Sequence, residues 1–240
     1  MKSRALLLLI FSFVLIAAIL LGRGGMGLSV MENDACGPVF VVDPGHGGED
    51  GGAVSGDGLK ESELNLKISL RTDKLLGLFG CSCILTRDSE ALEYPPEANT
   101  VRRRKQADLE RRVKLAGSAS NAVLLSIHQN KYPSAGPKGA QVLYKDEPAS
   151  CRFAELTQTM LLSGLGKTVR TPAVIPDSIY LMRKVECPAI LVECGFLSNP
   201  EELKLLRSEA YQTRIALCLA CACVEYANEW EIDYGQGSQG

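Results

Sequence analysis

Short apolar runs, separated by helix-length segments, restrict the folds open to this chain more than any other feature. VFVVD (39–43), CSCILT (81–86), AVLLSIH (122–128), GAQVLY (139–144), IYLM (179–182) and AILVEC (189–194) read as strands. Several are too uniformly apolar to face water on either side, which is the pattern of a parallel sheet covered twice. Residues 61–79 place Leu64, Ile68, Leu75 and Leu78 near helical spacing, and DLERRVKLAGSA (108–119) and residues 151–164 also read as helices. A polar, Pro- and Arg-rich loop runs to about residue 107 and is long enough to be a binding loop. SNPEELKLL opens another helix, with Asn199 suited to the cap, Pro200 to the first turn, and Glu201 and Glu202 to the positive end of the dipole. A last helix covers roughly 208–229. The alternation predicts an α/β fold: a single domain with a mostly parallel twisted sheet of about six strands and helices on both faces.

The N-terminus is of a different kind. Lys2 and Arg4 precede an apolar run from Ala5 to Leu21, interrupted by Ser12, which predicts export. Residues 1–24 are read as a signal anchor or signal peptide; the uncleaved anchor is favoured because no A-x-A site flanks the run. Residues 25–37 form a linker, 38–229 the folded domain and 230–240 a polar tail. With 22% charged residues and a net charge of −2, no nucleic-acid partner is indicated. Of the nine cysteines, six fall along a strand (Cys81, Cys83), at a strand end (Cys194) and on an apolar helix (Cys218, Cys221, Cys223). Their spacing is not that of a zinc module, so they read as small buried hydrophobes.

Ligand sites in open α/β sheets lie beyond the carboxyl ends of the strands. The only two histidines obey that rule: His46 follows VFVVD by three residues and His128 closes AVLLSIH. Glu193 lies near the end of AILVEC, and Glu61 at the mouth of the helix after the first glycine loop. Residue types leave two readings open. Each group has an ordinary structural role available, or two imidazoles and a carboxylate form the His2Glu set of catalytic zinc sites, with the fourth group free as a base. Glu49, Asp50 and Glu63 read as surface or supporting acids. Arg102, Arg103, Arg104, Arg111 and Arg112 read as a solvated basic helix face, with an anionic wall polymer or a partner protein as alternatives.

VVDPGHGGEDGGAVSGDGLKESELNL, LTRD, DLERRVKLA, LLSIHQN, GAQVLY and PAILVECGFLSNPEE, in that order, resemble the motifs of the zinc-dependent N-acetylmuramoyl-L-alanine amidases over about residues 38–227. NTVRRRKQADLERRVKL and SIYLMRKV are similar to the branch that prepares the spore cortex for germination. Gly117, where the family often carries asparagine, and the nine cysteines depart from its pattern. The resemblance implies Zn2+ held by His46, Glu61 and His128, and Glu193 as the catalytic carboxylate. The bond cut would join N-acetylmuramic acid to L-alanine of the stem peptide. Asn130 and Arg183 are candidate substrate contacts. Peptidoglycan is the implied substrate, an activating lipoprotein a possible partner, and the N-terminal segment the link to the membrane. The domain would be exported, facing the cell wall or the intermembrane space of the forespore, or secreted after cleavage. The competing readings are a zinc peptidase or deacetylase on the same fold and a non-catalytic wall-binding module.

Overall fold

The structure, a computed structural model, describes residues 37–166 and 170–235. The segment expected to direct export and the last five residues of the tail lie outside the described residues. Among the described residues, no helix is long and apolar enough to cross a membrane.

In chain order the elements are β1 (Val39–Pro44), α1 (Glu61–Leu78), β2 (Cys83–Leu85), α2 (Val101–Ala116), β3 (Ala122–Asn130), β4 (Gln141–Tyr144), α3 (Pro148–Leu165), β5 (Ala173–Val174), α4 (Tyr180–Lys184), β6 (Ala189–Phe196), α5 (Pro200–Leu206) and α6 (Glu209–Gly235). The six strands form one sheet in the order β2-β1-β3-β6-β4-β5. Every neighbouring pair is parallel except β4 with β6.

Strand side chains alternate between two separate cores because successive residues face opposite sides. Phe40, Val42, Val123, Leu125, Ile127, Ile190 and Val192 pack with Leu64 and Ile68 of α1, Phe153 of α3 and Leu219 of α6. Val41, Leu124 and Leu191 meet Leu109 and Val113 of α2 and Leu181 and Met182 of α4. The same alternation assigns Asp43, Ser126, His128 and Glu193, which follow Val41, Leu124 and Leu191 in phase along their strands, to the α2/α4 face.

Four local expectations change. IYLM is not a strand: Tyr180–Lys184 is the short helix α4, and the sixth strand is instead the pair Ala173–Val174. Leu181 and Met182 are adjacent and both buried in one core, which a strand cannot arrange and a helix can. The loop running to residue 107 ends earlier, because α2 begins at Val101 behind the Thr100 cap, whose side chain accepts from Arg103 N at 3.2 Å. Those first turns have good helix formers but few apolar residues, so no periodicity marks them. Finally, α6 continues to Gly235, through the first residues of the expected polar tail.

Asn199 caps α5 as expected, its Oδ1 accepting from Glu201 N and Glu202 N at 3.0 and 3.2 Å. All eight described cysteines are free; Cys194, Cys218 and Cys223 are buried in the larger core, with Cys81 and Cys83 packed against it.

Candidate active site

Beyond the carboxyl ends of β1, β3 and β6 lies a cavity of about 510 Å³. His46, Glu61, His128, Glu193 and Asn130 line one part of it; Leu109 of α2 and Ile179 to Met182 at α4 line the opposite wall. The four groups singled out in the sequence therefore meet, although 147 positions separate His46 from Glu193 (193 − 46).

The glycine loop is shaped to let them approach. A Cβ on Gly45 would lie 2.3 Å from Cε1 and Nε2 of His128, so only glycine leaves room for that ring. A Cβ on Gly52, whose φ is +65°, would lie 2.6 Å from both Glu61 Oε2 and His46 Cδ2. His46 itself has φ 61°, among the described residues the one non-glycine in the left-handed region. Such strain persists where surrounding contacts impose it, and it gathers at functional sites.

Glu61, the first residue of α1, is buried, and five groups hold its carboxylate. Oε2 accepts from Ala53 N at 2.8 Å and lies 3.3 Å from His46 Nε2. Oε1 lies 2.9 Å from His128 Nδ1 and accepts from Gln129 N at 3.1 Å and Asn65 Nδ2 at 3.4 Å. Burial alone would raise its pKa, but the bonds and charges of His128 and His46 outweigh burial and hold it well below the usual carboxylate range. His46 responds in the opposite sense. Burial opposes its charge, yet Asp50 and Glu61 carry its pKa up to about 9.

One donor atom from each of His46, Glu61 and His128 lies within 4.8 Å of the others. Ligands about 2.0–2.1 Å from a tetrahedral zinc stand about 3.4 Å apart. His46 Nε2 and Glu61 Oε2 stand 3.3 Å apart, close to that spacing, and with His128 they supply the donor types a zinc-like ion takes.

Glu193 is not part of that cluster. It faces His128 across the β3–β6 register, so the two side chains leave the sheet on the same side. Its Oε2 is buried with no hydrogen-bond partner. Burial, reinforced by the charge of Glu61 and opposed by the histidines, raises its pKa to about 7. A carboxylate with one buried oxygen left without a hydrogen-bond partner, beside a metal-type donor set, is the chemistry of a base that takes up a substrate or water proton.

Two expectations about charged residues are corrected here. Asp50 is not a surface acid: its Oδ2 lies 3.1 Å from His46 Nδ1, in the cavity wall. Arg112 is not on a solvated face. It is 2% exposed, and Nη1 donates to Asp43 Oδ1 at 2.8 Å and to Pro44 O at 2.9 Å. Nη2 donates to His46 O, and Nε to Asp108 Oδ2 at 2.8 Å. Asp43 also accepts from the Thr86 and Ser126 hydroxyls at 2.5 and 2.6 Å, which joins β1, β3, the residue following β2, and α2 beneath the histidines. Arg87, to which no role was given, donates to Pro44 O, Gly45 O and Ser62 O and so holds the first loop against α1. Glu49 does pair at the surface, with Arg104, and Glu63 is part-buried. Asn130 lines the cavity, whereas Arg183 is exposed, 5.9 Å above the ring of Tyr180.

Sheet, loop and cavity together define an α/β domain with a two-imidazole, one-carboxylate donor set and a second carboxylate beside it. The chain belongs to the Amidase_3 family, N-acetylmuramoyl-L-alanine amidase, whose profile matches residues 40–223. The germination-specific N-acetylmuramoyl-L-alanine amidase of Bacillus subtilis (strain 168) is 38% identical over 194 residues, 80% of this chain and 81% of that protein. N-acetylmuramoyl-L-alanine amidase LytC of the same organism is 30% identical over 199 residues, which are 82% of this chain and 37% of LytC. The CwlD amidase from Clostridioides difficile, solved in complex with the GerS lipoprotein, has a TM-score of 0.76 and 33% identity, covering 80% of this chain and 99% of that one.

Proposed function

We propose that this chain is a Zn2+-dependent peptidoglycan hydrolase that cleaves the amide between the lactyl carbonyl of N-acetylmuramic acid and L-alanine of the stem peptide. The observation that carries this is the convergence of His46, Glu61 and His128 donor atoms within 4.8 Å, with Glu193 on the adjoining strand. These three residues would hold the ion, which when bound supplies Lewis acidity toward water and the scissile carbonyl. Glu193 takes the proton of the attacking water as the C–O bond forms, and returns it to the amine nitrogen as the C–N bond breaks. Glu193, whose buried carboxyl has its pKa raised to about 7, would be placed to act as the base once a cation held by His46, Glu61 and His128 favoured its ionised form. Such a shuttle typically contributes about 10²–10⁴ in rate. Asn130 is the candidate substrate contact inside the cavity, and Arg183 a candidate at its edge beside Tyr180.

The reading extends to spore-cortex maturation for germination, on the strength of the 38% identity to the B. subtilis germination-specific amidase. The CwlD–GerS complex supports a lipoprotein as a partner. Residues 1–24 would direct export and anchor the domain at the wall-facing side of a membrane. The test is mass spectrometry of cortex peptidoglycan digested by the purified chain, with and without chelator. Expected products are glycan free of peptide and stem peptides with a new L-alanine amino terminus, lost with chelator and restored by Zn2+. Cuts within the peptide, or deacetylated glycan, would refute the assignment.

A further inference from the structure

Helix α2 packs against the loop that carries His46, and it does so through cations. Residues 104, 105, 108 and 112 recur at one-turn spacing and share a face. From that face Arg104 pairs with Glu49, Lys105 Nζ lies 2.8 Å from Asp50 Oδ2, and Arg112 donates to Asp43 and to His46 O. Asp50 is the member nearest the candidate centre. Its Oδ2 is shared between Lys105 and His46 Nδ1, at 2.8 and 3.1 Å, and its Oδ1 accepts from Gly52 N at 3.2 Å. The other ring nitrogen of His46, Nε2, points to Glu61.

We propose that Asp50, held in place by Lys105, is the positioning residue of His46, so that α2 tunes the metal affinity of the centre. The inference rests on the reading of His46 as a metal ligand. A neutral imidazole can carry its proton on either nitrogen, and only the Nδ1–H form leaves the Nε2 lone pair for an ion. A carboxylate at Nδ1 selects that form, orients the ring and makes Nε2 a stronger donor. His46 stands in the left-handed backbone region on a glycine-rich loop, so its ring is directed by the partners around it. Lys105 has its own task. Its ammonium, 2.8 Å from Asp50 Oδ2, holds that carboxylate in place beside the His46 ring.

The test measures zinc dissociation constants of the full chain by competition with a chromogenic chelator. Asp50→Ala should bind zinc about 10–100-fold more weakly, the usual cost of removing such a partner. Lys105→Met, at a half-exposed side chain, should weaken binding by about fivefold or less and more at low salt, with Lys105→Arg restoring it. In zinc-loaded protein, the His46 Nδ1 proton should exchange slowly with solvent in the wild type and faster in both weakened variants. A change in folding alone would not follow the Lys105→Arg rescue. Wild-type affinity and wild-type proton exchange in Asp50→Ala and Lys105→Met would overturn the proposal. His46→Ala serves as the control: if it binds zinc normally, the ligand assignment itself is wrong, and if it alone fails to bind, only the positioning role is.

Discussion

Replacing Glu193 with glutamine should slow turnover by about 10²–10⁴ while making the metal-free protein more stable. The carboxylate has a buried oxygen with no partner, and burial lifts its pKa from 4.5 to about 7. An acid whose folded-state pKa exceeds its unfolded value loses folding free energy as pH rises through that interval, and the loss is complete above the folded value. At about 1.4 kcal/mol per pH unit, the interval from 4.5 to about 7 corresponds to about 3 kcal/mol held against the ionised native state at pH 8. The neutral amide escapes this cost but leaves its own polar atoms poorly paired, so a net gain of about 1–3 kcal/mol is expected. Guanidinium unfolding of chelator-treated wild type and Glu193→Gln, at pH 5 and pH 8, measures it. The gap should open at pH 8 and close at pH 5, where the wild-type carboxyl is itself protonated. Loading with Zn2+ should shrink the gap at pH 8, and Glu193→Gln should keep the metal while losing about 10²–10⁴ in rate. A variant less stable than wild type at both pH values, or one that remains active, would refute the reasoning.

Three further outcomes follow from the same geometry. Arg112→Met leaves Asp43 charged and buried, and should cost about 3–5 kcal/mol in the same unfolding assay. Metal binding must displace the proton that Asp50 and Glu61 hold on His46, whose pKa is raised to about 9 in the metal-free protein. Calorimetry at pH 7.5 in buffers of different ionisation enthalpy should therefore show about one proton released, with affinity rising up to about pH 9. By the same linkage, the stability His46 contributes without metal is fully present below 6.5 and is lost as pH rises through about 9. Gly45→Ala sets a Cβ 2.3 Å from the His128 ring, and chelator competition should show metal affinity reduced about tenfold or more with the circular dichroism of the fold retained.

Much of the site was legible because it depends on short-range pattern. His128 closes an apolar run and Glu193 nearly does, His46 follows a third, and Glu61 opens a helix; in a parallel sheet all such positions face one edge. Which side chains share a face then follows from the period of two along each strand, which sets Asp43, His128 and Glu193 in phase with Val41, Leu124 and Leu191. Cys194, Cys218 and Cys223 were legible for the same reason, since their positions on buried faces are a matter of periodicity, whereas the other five described cysteines are only partly buried.

What the chain could not disclose were pairings between distant charges. Arg112 and Asp43 stand 69 positions apart, and Arg112 occupies a helix whose arginines look alike as a string. Which of them turns inward depends on where α2 lies against β1, a matter of packing and not of local propensity. Asp50 has the look of a loop acid until the fold brings Lys105 to one side of it and His46 to the other. The residues at 179–182 were ambiguous for a related reason: four apolar residues suit a strand or a helical turn, and only the core that Leu181 and Met182 enter together decides between them. Periodicity along the chain thus determined the sheet, its edge and the candidate ligands. Tertiary packing alone decided which acids and bases surround those ligands, because Coulomb and hydrogen-bond partners are chosen by distance in space and leave no repeat in sequence.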